Sequence, residues 1–385
     1  MLKTLLATTF LLSNVAATSS FENYKKSQES GFLQEKTEFA SYKKAQKEAF
    51  DNYIKKLEKY WKKPLMTSEK KLVSYAKDKK SRTIIDFEHN KLTIETLAKK
   101  SKEAKQKLSL ALAQAITYDT KDFYNSDEFE QNLAKIEASH KVTTSKIDAQ
   151  PVLAPVFFKE KPTKKKIYHF VNKKVTTKNI QVEKSSKIKT ENIYRVTISL
   201  PKNATIKRSL IYYEDVRREA AKQHIPLALI FAIIHSESSF NPMARSYVPA
   251  YGLMQIVPRS AGVDAYYHLY KKKRILGSSY LYNSKNNIKM GSAYLHILYY
   301  SYLRHIKNPT SRLYCTIAAY NTGAGNVARA FVRTNNTYKA AQVINRLSSD
   351  EVYRRLLQDL RYNEPKRYLI KVRKRMEIYK KIYKS

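Results

Sequence analysis

Cysteine is nearly absent from the chain: Cys315 is the single one in 385 residues. No disulfide can form within the chain, so a hydrophobic core has to hold the fold. Set in RLYCTIAAY, Cys315 reads as a small core residue. Glycine is scarce too, and of the seven, Gly252, Gly277, Gly323 and Gly325 mark breaks in what otherwise reads as helix. Acidic residues are outnumbered, with 33 Asp and Glu against 73 Lys and Arg, a formal charge of +40. That imbalance calls for an anionic partner, and nucleic acid, an acidic wall polymer or a phospholipid surface would each supply one. No zinc-finger, helix-turn-helix or RNA-recognition signature accompanies the charge, which is spread along the chain, so no nucleic-acid partner is expected. The eight histidines show neither HExxH nor Cys/His ligand spacing. A metal site and a cofactor are therefore not expected.

Long apolar runs are also missing after the first residues. MLKTLLATTFLLSNVAATSS has a basic start at Lys3, an apolar stretch over Leu5–Leu12 and small residues at Val15 and Ala17. This is the layout of a secretory signal over 1–17, cut after Ala17, and it predicts export to the periplasm. An uncleaved anchor is the competing reading.

Residues 18–200 are expected to form a small α+β domain. Phe39, Tyr42, Phe50, Tyr53, Ile54, Leu57 and Trp61 repeat at helical spacing and predict a long amphipathic helix that ends near Pro64. The run TIIDFEHNKLTIETLA alternates on both sides of His89 and Asn90, which predicts a β-hairpin, and a helix over about 97–117 follows. Between 118 and 190 the pattern weakens and lysine accumulates. Two readings stand for this segment: a solvated, partly strand-forming connector, or a binding patch for an anionic surface. YRVTISLP at 194–201 reads as a last strand. From 201 to 385 nearly everything reads as helix.

The most apolar stretch of that helical half, PLALIFAII, ends beside Glu237. Pro226 suits the first turn of a helix, so Glu237 would sit at its C-terminal end. Burial and the negative end of the helix dipole both oppose ionisation there and raise the carboxyl pKa. A carboxylic acid that stays protonated near neutrality is suited to protonating a poor leaving group such as a glycosidic oxygen. The plainer reading is a glutamate that reaches solvent where its helix stops.

Four segments follow in order: ESSFNPMARS, GLMQIVP, IAAYNTGAGNV and NEPKRYLIKV. Together they resemble the lytic transglycosylases, over about 207–380. Upstream, FDNYIKKLEKYWKK and DFEHNKLTIETLA are similar to the N-terminal domain of the membrane-bound lytic murein transglycosylase C family, and NPTSRLY resembles that family as well. The resemblance implies an α+β fold in which the small N-terminal domain is followed by a mostly helical, lysozyme-like catalytic domain over 201–385. It implies a peptidoglycan-cleaving enzyme with Glu237 as the single catalytic acid and base and Ser246 as a polar neighbour of the reacting sugar. Gln255 and Tyr320 would line the glycan groove, with Glu364 near the catalytic glutamate. The partner would be peptidoglycan glycan strands, cut between N-acetylmuramic acid and N-acetylglucosamine to leave 1,6-anhydro ends.

Two features depart from the pattern. SYVPAYG after Ala244-Arg245 is bulkier than usual, and no cysteine is placed to accept a lipid at a mature N-terminus. Peripheral contact with an anionic membrane surface is expected in place of that lipid, at about 1 kcal/mol for each Lys or Arg near the lipid. A peptidoglycan-binding scaffold without strong catalysis is the alternative. On this reading the 18–200 region adds affinity for wall or membrane but no chemistry.

Overall fold

The structure, a computed structural model, describes residues 40–140, 142–247 and 249–384. The expected signal segment, 1–17, lies outside the described residues. The first helix, α1, occupies residues 40–58. It covers one face of a five-stranded antiparallel sheet of order β1-β2-β3-β5-β4. The strands are β1 (Lys71–Tyr75), β2 (Ser81–Asp86), β3 (Lys91–Ala98), β4 (Gln181–Lys184) and β5 (Asn192–Ser199). β2 and β3 form the expected hairpin. Its turn closes where the Asp86 carboxylate accepts from the His89 N–H at 2.9 Å and Asn90 takes a left-handed φ of 52°, a conformation asparagine tolerates better than most residues.

Because strand side chains alternate, the sheet buries both faces. Leu72, Ile85, Leu92, Ile94 and Val196 point to one side, against Leu108 and Leu112 of α2 (Ser101–Thr117). Val73, Tyr75 and Leu97 point to the other, against Tyr53, Leu57 and Trp61. Each such side chain contributes about 1.5–3 kcal/mol on burial.

The stretch from 118 to 190 departs from the connector expectation. It folds into α3 (Thr120–Ser126), α4 (Glu128–Ala138), α5 (Ala154–Phe157), α6 (Lys164–Lys174) and the short edge strand β4. The reason is local capping. Asp119 and Asp122 form a capping box, Asp127 accepts from the N–H groups of Phe129 and Glu130, and Thr163 accepts from Lys166. Such caps stabilise short helices that lack strong apolar periodicity, by about 1 kcal/mol each.

The rest is helical: α7 (Ala204–Ile211), α8 (Tyr213–Gln223), α9 (Leu227–Glu237), α10 (Ala261–Tyr270), α11 (Ser278–Tyr282) and α12 (Ser284–His296), then a π-helical turn at Ile297–Tyr302. α13 (Pro309–Thr322), α14 (Ala324–Arg329), α15 (Thr337–Ile344), α16 (Ser349–Asp359) and α17 (Asn363–Tyr383) complete it. The fold is thus a small α+β part followed by a mostly helical one. α9 runs through the centre with Phe231 stacked on Tyr383 at 4.5 Å and Tyr379 at 5.4 Å, both from α17. Cys315 is fully buried.

One continuous core extends from Leu72 in the sheet to Tyr379 in α17, across the chain position near 200. Arg208 of α7 reinforces this junction. Its buried guanidinium donates to the Phe87 carbonyl at 2.8 Å and to Asn90 Oδ1 at 3.0 Å, both in the hairpin turn. Burial lowers its pKa to about 10. Among the described residues no helix is long and apolar enough to cross a membrane.

Candidate active site

α9 is apolar on every side because it is enclosed, and Glu237 is where it meets open surface. Its residue is partly accessible while its carboxyl is shielded from water, and burial pushes its pKa up to about 7. The Glu364 and Glu69 carboxylates press in the same direction, while a hydrogen bond from Tyr368 and the Lys70 ammonium oppose it. The Tyr368 hydroxyl, from α17, donates to Glu237 Oε1 at 2.5 Å. No described residue bonds Oε2, which is left to face a ligand.

The helix end is held firmly. Arg375 of α17 donates to the His235 carbonyl at 2.8 Å and to Ser236 Oγ at 3.0 Å, adding a charged donor to a carbonyl that also accepts from the Ser239 N–H at 3.3 Å. The His235 ring accepts or donates at Tyr379 Oη, 3.1 Å away, and burial with Arg375 nearby pushes its pKa down to about 3. It therefore stays neutral and adds no charge beneath the site. Immediately after Glu237, Ser239 and Phe240 take φ of 51° and 65°. Non-glycine residues in that region cost about 1–3 kcal/mol each and persist where packing fixes them. Here Phe240 is buried against Tyr212, Phe231 and Tyr379.

The GLMQ segment forms a tight turn facing this end. Gly252 has φ of 74°, and a Cβ there would lie 2.3 Å from the Leu281 carbonyl oxygen, so only glycine fits. Asn287 of α12 is fully buried and holds the turn by three bonds. It accepts from Met254 N–H at 2.7 Å and donates to the Tyr251 and Leu281 carbonyls at 2.7 and 2.8 Å.

The other residues expected at the site fall as follows. Tyr320 of α13 donates to the Met254 carbonyl at 2.8 Å, tying its helix to the turn. Gln255 has a φ of 49° and folds its amide back onto the Gly252 carbonyl at 3.0 Å, while its buried Oε1 has no bond to a described residue. Ser246 Oγ accepts from the Ala250 N–H at 3.1 Å and closes the bulky loop, from which Tyr247 projects 96% exposed. Glu364 is exposed in the first turn of α17 and accepts from Asn321 at 3.2 Å. Asp264, the nearest acid after Glu237 in sequence, instead accepts from Tyr302 at 3.2 Å.

Sequence reasoning missed Tyr368, Arg375 and Asn287, and it missed a contribution from the sheet domain. The strap before β1 crosses to the site, where fully buried Asn241 donates to the carbonyls of Ser68 at 3.3 Å and Glu69 at 3.2 Å. Lys70 bonds Glu88 at 2.8 Å, and Lys371 of α17 meets the same carboxylate at 3.4 Å. Tyr368 stood within the NEPKRYLIKV segment, four residues beyond Glu364; nothing in sequence linked Lys70 to Glu237. Among the described residues no cluster of His, Cys, Asp and Glu is arranged to hold a metal.

Residues 214–343 match the family described as Transglycosylase SLT domain, and residues 36–210 match Membrane-bound lytic murein transglycosylase C, N-terminal domain. The chain is similar to lytic transglycosylases in both of these segments. Among curated proteins, a membrane-bound lytic murein transglycosylase C from Sodalis glossinidius is 43% identical over 49% of this chain and 52% of its own length. The protein of that name from Salmonella arizonae is likewise 43% identical, over 49% of this chain and 52% of its own length. The chain spans about half the length of the curated relatives it matches. Among solved structures, the 70 kDa soluble lytic transglycosylase of Escherichia coli aligns over 47% of this chain and 27% of that chain, at 23% identity and a TM-score of 0.34.

Proposed function

We propose that this chain is a peptidoglycan lytic transglycosylase that cleaves the β-1,4 bond between N-acetylmuramic acid and N-acetylglucosamine without adding water. The observation that carries the reading is Glu237 itself: a shielded carboxyl with a pKa of about 7, one oxygen held by Tyr368 and the other without a bond to any described residue. Near neutrality a substantial fraction of it is protonated. In that form it gives its proton to the oxygen leaving the muramic acid, as a general acid. The neighbouring N-acetyl group stabilises the positive centre. The carboxylate so formed then removes the proton of the sugar's own 6-hydroxyl, the oxygen closes on C1, and Glu237 regains its proton.

A hydrolase of either stereochemistry uses a second carboxylate, as nucleophile at about 5–5.5 Å or as base for water. Glu364 is exposed and engaged by Asn321, and Asp264 is engaged by Tyr302. Glu364 and Glu69 act on Glu237 through their charge, and one group in both roles is what the resemblance to lytic transglycosylases implies. Within this reading Tyr368 fixes the acid, and Gln255, Tyr320 and Ser246 shape the groove around it. Burial keeps the acid protonated, and the Glu364 and Glu69 carboxylates add to it.

Incubation with isolated sacculi tests the reading. Soluble muropeptides should carry 1,6-anhydro ends, and Glu237→Gln should lower their release by about 10²–10⁴-fold while sacculus binding persists. Products heavier by one water would overturn the non-hydrolytic route. Full activity in the Gln variant would overturn the assignment of the acid.

The same reading places the protein in the periplasm, exported by its first 17 residues and in contact with an anionic membrane surface. The N-terminal layout, the net charge of +40 and the name of the relatives support this. The mass of the mature chain checks it, with loss of residues 1–17 expected.

A further inference from the structure

Charge on this protein is of two kinds. Lys70, Lys80 and Lys371 meet carboxylates across elements of the fold. The stretch from Phe158 to Lys174 holds seven lysines against the single carboxylate of Glu160. None of these lysines forms an ion pair with a described residue. Apart from Lys174, whose ammonium lies 5.9 Å from the Phe170 ring, no described partner holds them, and their mutual repulsion opposes the fold slightly.

The same stretch exposes aromatic surface. α6 buries Val171 and rests Ile167 and Phe170 on the core. Phe170 meets Phe157 at 5.0 Å and Phe158 at 5.6 Å, and Tyr168 of the same helix stands 70% exposed. Phe158 and Phe170 wall a cavity of 490 Å³ whose remaining lining is Lys165, Lys166, His169 and Lys173. Rings set among unpaired ammonium groups suit the boundary layer of a membrane, where rings sit among headgroups and lysines reach phosphate. A glycan groove would instead offer carboxylate and amide groups to sugar hydroxyls, and between 163 and 174 only Asn172 is of that type.

We propose that α6 and the Phe158 turn form a docking face for an anionic phospholipid surface. This locates the membrane contact of the proposed function and is independent of its chemistry. The face acts as a reversible clamp: ammonium groups supply attraction that salt screens, and Tyr168, Phe158 and Phe170 supply apolar area that salt does not weaken.

Cosedimentation of the full chain with phosphatidylcholine vesicles, with and without phosphatidylglycerol, tests the proposal. The wild-type chain should bind only the anionic vesicles and release as salt rises. The combined Lys165→Glu, Lys166→Glu and Lys173→Glu variant should bind them at least about tenfold more weakly. Tyr168→Ser should weaken binding about threefold at fixed salt. All four side chains are exposed, so thermal unfolding and release of fragments from sacculi should not change. A wild-type chain that ignores anionic vesicles would overturn the membrane contact itself. Undiminished binding by the triple variant would overturn its assignment to α6. Loss of sacculus binding with vesicle binding intact would identify a wall polymer as the occupant and overturn the proposal. Inorganic phosphate should displace the protein no better than chloride of equal ionic strength; stronger displacement would indicate a discrete phosphate site and also overturn it.

Discussion

Two regions of the molecule make opposite use of cationic side chains. At the edge that faces α9 and α17, Lys70 and Lys371 share Glu88, and Arg208 reaches into the hairpin turn. On α6 the lysines have no carboxylate to share. The difference teaches that net charge says little by itself. Paired or caged cations fix one surface against another, whereas unpaired ones remain free to meet something outside the chain.

Breaking the caged set should have the larger effects. Arg208→Met removes the donor to Phe87 and Asn90 and leaves a buried carbonyl without a partner, at a cost of about 2–4 kcal/mol in denaturant unfolding. An unchanged midpoint would mean that the junction is held by apolar contact alone. Glu237→Gln should raise stability, in a way that depends on pH. The native carboxyl holds its proton up to about 7, while the unfolded one releases it near 4.3. As pH rises through that window the wild-type chain loses stability that the amide keeps. The variant should be about 1–2 kcal/mol more stable at pH 8 and no more stable at pH 4, the full shift being discounted for the partial exposure of the group.

Two milder changes sharpen the comparison at the site. Tyr368 and Lys70 both favour the charged form of Glu237, so removing either raises its pKa further. The alkaline limb of the kcat/KM profile for wall cleavage, which reports the free acid, should therefore move upward. A shift of about half a pH unit is expected for Tyr368→Phe, and about a quarter for Lys70→Ala, the latter shrinking with salt. A downward shift in either would contradict the electrostatic arrangement described above.

The hairpin was legible because its turn has a local cause in His89 and Asn90, and Glu237 was legible because an enclosed helix leaves a continuous apolar run that ends at an acid. Gly252 was readable as a break, but the reason for it, the Leu281 carbonyl and the Asn287 amide against its Cα, lies elsewhere in the chain. The helices between 118 and 174 were not legible as a set because capping side chains, rather than apolar period, define them. Tyr368 reads as one more core tyrosine in a helix until Glu237 is seen opposite. Glu69 and Lys70 carry no local sign of their position, since the strap is brought there by tertiary packing alone.

Asn241 holds that strap through the carbonyl oxygens of Ser68 and Glu69, groups that every amino acid possesses. The anchoring is thus blind to side-chain identity at positions 68 and 69. Substitution of Glu69 leaves the strap where it is and alters the charge beside the acid, whereas substitution of Lys70 also gives up its bond to Glu88. Natural variants at position 69 can retune the acidity at which the wall is cut with no repacking of the interior.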